Sequence, residues 1–201
     1  MINSTLVFVV LFTLIGTVKS QTSFGIKAGL NLADQQKKWT TSQFPPKAKT
    51  TVFCGYQAGS FVKTKLNKHL LIAAEINLSV IGSGSKIVDT DNTVYDTNER
   101  LGYIEFPLLL QYANKRIYFG MGPAISIKLF ATLVGFENRN HEISDYKTFE
   151  SSGNFMAGYE ISKQLDINMR YSYGLSNLHK YPVHAVTKNR FLNFSLLYKL
   201  K

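Results

Sequence analysis

The sequence predicts an all-β fold: an eight-stranded, antiparallel, up-and-down β-barrel that crosses a membrane. Eight segments alternate between large apolar residues and small or polar ones, which is the pattern of a strand with two different faces. The connections between these segments are alternately short and long. Glycines and ionic residues lie at one set of alternate positions in the strands, and bulky apolar residues occupy the other set. We call each set of alternate positions a parity.

Composition restricts the class of protein before any motif is considered. The chain has 201 residues, of which 45% are hydrophobic, and this is enough for a single ordered domain. Aromatic residues make up 13% and charged residues 18%, which argues against a disordered chain. The single cysteine, Cys54, excludes an intramolecular disulfide or a zinc site built on cysteine pairs, and is most simply a small apolar residue.

The amino-terminal segment has the features of a secretory signal. Residues 6–18 are an apolar run that is too short for a comfortable bilayer-spanning helix but has the length of a signal-peptide core. Residues 18–20 fit cleavage before Gln21. We therefore expect residues 1–20 to be a signal peptide and residues 21–201 to form the outer-membrane barrel domain. A retained membrane anchor is the alternative.

The predicted strands are long enough to cross a bilayer when tilted, at about eight to eleven residues each. They cover residues 23–33, 55–62, 70–80, 104–112, 119–129, 154–161, 165–174 and 192–200.

Connection lengths distinguish the two ends of the predicted barrel. Short turns are expected at residues 63–68, 113–116 and 162–164. Long loops are expected at about residues 34–50, 81–100, 130–150 and 175–188. Outer-membrane barrels combine short periplasmic turns with long external loops, whereas loops of this length are uncommon in compact soluble domains.

Residue size indicates which face of the barrel is outside. Small residues on the polar parity suit the narrow interior of an eight-stranded barrel. The bulky apolar residues then face outward. A surface of this kind is stable in the hydrocarbon of a membrane and not in water. A soluble exported barrel with an apolar interior is the alternative. The small residues are Gly25, Gly29, Gly55, Gly59, Gly120, Gly122, Ala124, Gly158 and Gly174.

Ionic side chains on the inner parity predict a charged network in the lumen. We expect mutual pairing and trapped water to satisfy them, with Arg170 near at least one inward-facing glutamate. The expected role is structural plugging, because eight strands leave no open aqueous channel; a proton or ion path is the alternative. The predicted network consists of Lys27, Glu75, Glu105, Lys128, Glu160, Arg170 and Lys199.

Aromatic residues near the predicted strand ends are candidates for interfacial girdles, although some of them could instead pack in loops or in the lumen. They are Phe24, Tyr103, Tyr112, Tyr118, Phe149, Tyr159, Tyr171 and Tyr198.

Four stretches carry a family resemblance: FGIKAGLN at residues 24–31, GYIEFPLLL at 102–110, GMGP at 120–123 and RYSYGLSN at 170–177. They resemble the PorT-like outer-membrane β-barrel family, which is similar in plan to the small OmpX and OmpA-type barrels. The resemblance implies an eight-stranded barrel in the bacterial outer membrane, reached after secretion, with both termini in the periplasm. It implies little about activity, since only a few members are linked to secretion or gliding machinery.

Catalytic and metal-binding patterns are weak. His141 near Ser144 and Asp145, or His179 near Ser176, fit the needs of a lipid A-modifying barrel enzyme, but no nucleophile motif frames them. We expect no catalytic residue, no metal site and no cofactor. The histidines lie in predicted turns and loops, and are His69, His141, His179 and His184.

The sequence therefore predicts a non-enzymatic outer-membrane barrel that displays four long external loops for structural, adhesive or partner-binding roles. Its expected partners are outer-membrane lipid and, at the loops, lipopolysaccharide or a protein. The net charge of +10 would attract anionic groups such as lipid A phosphates; a solvated basic surface is the alternative. No nucleic-acid partner is expected. The alternatives are a lipid A-modifying barrel enzyme and a soluble exported ligand-binding barrel.

Overall fold

The eight predicted strands close into one barrel. A computed structural model describes residues 22–39, 47–88, 94–134, 146–180 and 185–200. Each strand pairs antiparallel with its neighbour in the sequence, and the last pairs with the first, so the predicted fold class is confirmed. The strands are β1 (Thr22–Trp39), β2 (Lys47–Lys65), β3 (Leu70–Val88), β4 (Val94–Asn114), β5 (Ile117–Val134), β6 (Phe149–Glu160), β7 (Leu165–Gly174) and β8 (Ala185–Lys199).

Several strands extend beyond their predicted ends, so the predicted bounds of the long loops are wrong. Strand β1 continues to Trp39, β2 begins at Lys47, and β3 and β4 occupy most of residues 81–100. Backbone pairing between strands does not require an apolar face. Once the strands leave the hydrocarbon layer, the alternation of apolar and polar residues fades while the hydrogen-bonded ladder continues.

The two ends of the barrel still differ. At one end, residues 66–69, 115–116 and 161–164 make tight turns, and this end is called the turn side. The other end, called the loop side, carries the four remaining connections. Both ends of the described chain, Thr22 and Leu200, lie on the turn side.

The bulky parity faces outward, as residue size predicts. Leu108, Ile125 and Phe194 are 45%, 57% and 45% exposed, although they lie in the middle of long strands. Their neighbours Leu109, Ala124 and Asn193 are buried inside the barrel. Exposed and buried residues alternate along most of the strand positions whose burial is described, whereas residues 81–84 and 101–103 are buried consecutively. Such a surface is stable only in contact with hydrocarbon.

Two apolar clusters occupy opposite halves of the lumen. The turn-side cluster contains Ala73, Leu109, Tyr118 and Met156. The loop-side cluster contains Ala33, Ile81, Leu101, Tyr103, Ala131, Leu178 and Phe191.

Leu178 belongs to the connection between β7 and β8, and not to a strand. Its side chain is fully buried, and its backbone N–H donates to the carbonyl of Thr187 at 2.9 Å. Its carbonyl accepts a hydrogen bond from the N–H of Lys147 at 2.8 Å, and Tyr146 forms an isolated antiparallel β-bridge with His179. Residues 175–180, the described part of this connection, therefore fold inward at the loop-side mouth.

Most of the predicted girdle residues are exposed on the outer surface. Phe24, Tyr112, Tyr159 and Tyr198 lie near the turn side, and Phe149 and Tyr171 lie nearer the loop side. For the other two, Tyr103 and Tyr118, the alternative holds: both are buried in the lumen, because each has inward parity on its strand.

Among the described residues, no helix has the length and apolar character needed to cross a membrane.

Candidate functional site: the charged lumen

The centre of the lumen contains a buried ionic triad formed by Lys27 on β1, Glu75 on β3 and Arg170 on β7. Glu75 accepts from the Lys27 ammonium through Oε2 at 2.8 Å and from the Arg170 guanidinium through Oε1 at 2.5 Å. Asn77 Nδ2 also donates to Glu75 Oε2 at 3.1 Å. Burial of these charges is tolerated because each carboxylate oxygen has a cationic partner.

A network of amide and hydroxyl side chains crosses the lumen between β1, β2, β3 and β8. Asn193 Nδ2 donates to Asn31 Oδ1 at 2.9 Å, and Asn31 Nδ2 donates to Ser79 Oγ at 2.9 Å. Gln57 Nε2 donates to both Asn193 Oδ1 and Ser195 Oγ at 3.0 Å. These bonds connect β1, β2, β3 and β8 across the barrel interior, and they occupy space that water would fill in a channel.

A second ionic cluster lies at the turn side. Asp166 is fully buried and is 3.0 Å from the ammonium groups of both Lys63 and Lys199. Lys199 also pairs with Glu160 at 2.8 Å. The side chain of Glu160 is 43% exposed, because β6 ends at this residue. Glu160 therefore lies at the rim of the barrel and not in a dry interior.

Carboxylates dominate the loop-side part of the lumen. Glu150 accepts hydrogen bonds from the Tyr103 hydroxyl and from Asn189 Nδ2, and Glu99 accepts from Gln35 Nε2 at 2.8 Å. Lys128 donates to the carbonyl oxygen of Tyr146 at 2.9 Å. Within the described parts of the chain, hydrogen bonds from neutral donors thus satisfy Glu99 and Glu150 in place of salt bridges.

Glu105 lies between the triad and these acids. It is buried, and it has no ion pair or direct hydrogen bond among the described residues. Its side chain lines a cavity of about 10 Å³ together with Glu150, Ser126 and Ser152. A cavity of this volume holds about one water molecule, so it is too small for a transported solute.

The seven residues predicted as one network therefore fall at different levels. Lys27, Glu75 and Arg170 meet in the triad, and Glu160 and Lys199 meet at the turn side. Glu105 and Lys128 lie apart from both groups.

Sequence reasoning missed four other buried charges. The predicted second strand ends before Lys63 and leaves it in a turn, yet Lys63 has the same parity as Gln57. Asp166 shares the parity of Arg170 but stood at the start of a strand. Glu99 and Glu150 fell inside predicted loops. Extending the parity of each strand through its neighbouring polar residues would have found all four.

The candidate catalytic residues do not form a reactive pair where they are described. His69 lies in a turn, stacks on Tyr112 at 5.6 Å between ring centroids and has Nδ1 3.2 Å from the carbonyl of Ala113. His179 packs against the ring of Tyr146, while Ser176 Oγ accepts from the backbone N–H of Ser151. His141, Ser144, Asp145 and His184 lie outside the described residues.

No group of three or more His, Cys, Asp or Glu side chains within the described parts of the chain could hold a metal ion.

A closed, eight-stranded barrel with an apolar exterior and a charged, filled interior is a transmembrane β-barrel. The family described as "Outer membrane protein beta-barrel domain" matches residues 17–180, and the chain belongs to this family. It is a small barrel of the bacterial outer membrane, which excludes the soluble-barrel alternative.

Three solved structures are similar to this chain at low sequence identity. OprG from Pseudomonas aeruginosa is 14% identical, with 90% of this chain and 97% of that chain covered and a TM-score of 0.47. Neisserial surface protein A is 13% identical, with 89% and 99% covered and a TM-score of 0.46. Ail from Yersinia pestis is 11% identical, with 89% and 98% covered and a TM-score of 0.44. No curated protein matches the sequence.

Proposed function

We propose that this protein is a non-enzymatic outer-membrane barrel whose closed body holds the loop side at the cell surface for structural, adhesive or partner-binding roles. The observation that carries the proposal is the filled lumen. The triad, the amide network and two apolar clusters occupy successive levels of the interior. A body of this kind anchors what it displays and has no path for solutes.

The partners of the loop side are proposed from charge. The chain carries a net charge of +10, and basic proteins attract anionic surfaces over a distance of about one Debye length, roughly 8–10 Å at physiological salt. The four predicted long loops hold ten basic and nine acidic residues, and the three short turns hold six basic residues and no acidic one, so the net charge is not concentrated at the loop side. The proposed loop-side partners, lipopolysaccharide phosphates or a protein surface, would therefore bind through local groups of basic side chains.

Two finer assignments complete the proposal. Residues 1–20 act as a cleaved signal peptide, and the chain is a PorT-like member of its family. The first assignment predicts that the mature protein begins at Gln21, which intact-mass measurement of the protein purified from outer membranes checks directly. A mass that retains the first twenty residues would contradict it.

Solute flux tests the closed body. The folded protein is reconstituted into lipid vesicles that contain a small fluorescent dye, alongside vesicles containing a known porin. The proposal expects dye release no faster than from protein-free vesicles. Release that rises with the amount of folded protein, while heat-denatured protein has no effect, would contradict the closed lumen.

Lipid analysis tests the absence of enzymatic activity. Lipid A is extracted from cells that express the wild type, a His141→Ala variant or a His179→Ala variant, and from cells without the protein. The proposal expects the same lipid A masses in all four. A mass change that requires either histidine would overturn the proposal in favour of a lipid A-modifying enzyme.

A further inference from the structure

A group of polar and basic side chains lies on the outer surface where β7, β8 and β1 adjoin. We call it the seam patch; it consists of Asp34, Gln36, Lys38, Tyr173, Lys188 and Arg190. Register brings these residues together: Arg190 pairs with Asp34 on one side and Tyr173 on the other, and Lys188 pairs with Gln36.

The seam patch begins where the outward-facing residues of β1, β7 and β8 change from apolar to polar. We call the apolar outer surface next to it the apolar belt. All six residues have the outward parity of their strands. The next outward residues toward the middle of the barrel are Leu32 on β1, Leu192 on β8 and Tyr171 on β7. Tyrosine is enriched at the boundary between hydrocarbon and headgroups. The patch therefore lies at headgroup level on the loop side, which faces the outer leaflet.

Internal contacts hold the patch in shape. Arg190 Nη2 is 2.6 Å from Asp34 Oδ2, and the hydrogen bond with Asp34 raises the pKa of the Arg190 guanidinium above its usual value. The Tyr173 hydroxyl donates to Gln36 Oε1 at 2.9 Å. The Lys188 ammonium lies 5.7 Å from the centroid of the Tyr173 ring, within the range of a cation–π contact.

The patch has unmatched positive charge. It contains three cations and one carboxylate, and that carboxylate pairs with Arg190. Neither Lys38 nor Lys188 has a carboxylate partner among the described residues. Arg190 remains 43% exposed, and a guanidinium has further N–H donors beyond the one facing Asp34. Two ammonium groups and one partly engaged guanidinium suit a phosphate group.

We propose that the seam patch binds a phosphate group on the headgroup of an outer-leaflet lipid whose acyl chains lie along the adjoining apolar belt. A lipid is the occupant because the patch faces sideways at headgroup level and is continuous with a surface that contacts hydrocarbon. The inference rests on the proposed membrane orientation and gives the anionic partner a defined site on the barrel wall, separate from the loops.

Lipid binding by the full-length folded protein tests this site. Native mass spectrometry in neutral detergent measures binding of lipid A, and of the same lipid A with its phosphates removed. The wild type is expected to bind the phosphorylated lipid at least tenfold more tightly, since each basic group near an anionic lipid contributes severalfold to affinity. Equal binding of the two lipids would overturn the proposal without any variant.

A pair of charge-matched variants locates the site. The Lys38→Gln, Lys188→Gln double variant is expected to lose roughly tenfold or more in affinity for phosphorylated lipid A. The Lys68→Gln, Lys163→Gln double variant removes two exposed charges at the turn side and should keep wild-type affinity. An equal loss of affinity for lipid A in both double variants would show only non-specific attraction. That result would contradict binding at the seam patch.

Two controls separate this test from that of the proposed function. Heat-modifiable migration on gels verifies that each variant is folded. Dye flux from vesicles tests the closed lumen independently, so a barrel that conducts solutes would contradict the proposed function without altering the lipid result.

Discussion

The buried carboxylate of Glu75 is the residue on which the centre of the lumen depends. It neutralises one of its two cationic partners and hydrogen-bonds to both. The Glu75→Gln variant leaves Lys27 and Arg170 close together without their shared counterion. We expect it to lower the free energy of unfolding by about 3–5 kcal/mol. Urea titration in lipid vesicles, followed by heat-modifiable migration, measures this value.

Glu160→Gln is the matched control, because it makes the same chemical change at the exposed turn-side rim. Lys199 keeps its contact with Asp166 in that variant. We expect a loss of about 1 kcal/mol or less, as for other exposed ion pairs. Equal losses in the two variants would show that the triad is not the centre of stability.

Residue parity predicted much of this site and explains what was missed. Lys27, Glu75 and Arg170 lie in the middle of strongly alternating segments, so their inward direction could be inferred from the sequence. Which of them pair could not be inferred, because the contacts join strands far apart in the chain. Lys63 and Asp166 lie at strand ends, so their inward direction follows only when the parity of each strand is extended to its last polar residues.

Residues 175–180, which follow β7, cover part of the loop-side mouth. Leu178 contributes its buried side chain to the loop-side cluster. The Leu178→Ala variant is expected to lose about 2–5 kcal/mol of packing within this connection, while the strand ladders remain intact. Trypsin should then cut after Lys180 faster than in the wild type, as measured by mass spectrometry of the folded protein.

Leu175→Ala is the control for this change, since Leu175 lies on the same connection with its side chain exposed. Its cleavage rate should match that of the wild type. A wild-type rate for Leu178→Ala as well would mean that Leu178 does not hold the cover in place.

Close contact between β4 and β5 requires glycine at position 122. A Cβ atom built there would lie 1.9 Å from the backbone oxygen of Leu108, which cannot move without disrupting the ladder. We expect Gly122→Ala to cost about 1–3 kcal/mol in urea unfolding. A Cβ at Gly153 would meet nothing within 4 Å, so Gly153→Ala should be neutral or slightly stabilising. A neutral Gly122→Ala variant would contradict this strand packing.

Strand number and order followed from the sequence, but strand length did not. Period-two alternation marks only the part of each strand whose two faces meet different surroundings. Beyond Leu32 the outward residues of β1 become Asp34, Gln36 and Lys38, so polarity no longer distinguishes the two faces. The β1–β8 ladder nevertheless continues to the pair Trp39 and Ala185.

For the whole molecule, one arrangement accounts for the fold, the lumen and the proposed function. Bulky apolar side chains face lipid, and small, amide and ionic side chains fill a closed interior. The family match to an outer-membrane barrel domain agrees with this orientation. The same arrangement sets the height of the seam patch, because the patch starts where outward-facing residues change from apolar to charged.

Nitroxide scanning of β8 tests this arrangement most directly. Single cysteines are introduced at positions 193 to 197 in a Cys54→Ser background, because Cys54 is exposed. In the bilayer, spin labels at positions 194 and 196 should collide readily with oxygen, which concentrates in lipid, and rarely with a water-soluble nickel complex. Labels at 193, 195 and 197 should be immobilised and shielded from both. High oxygen accessibility at positions 193, 195 and 197 in place of 194 and 196 would contradict a barrel with lipid outside and ionic groups within. Accessibility without a two-residue period would contradict it as well.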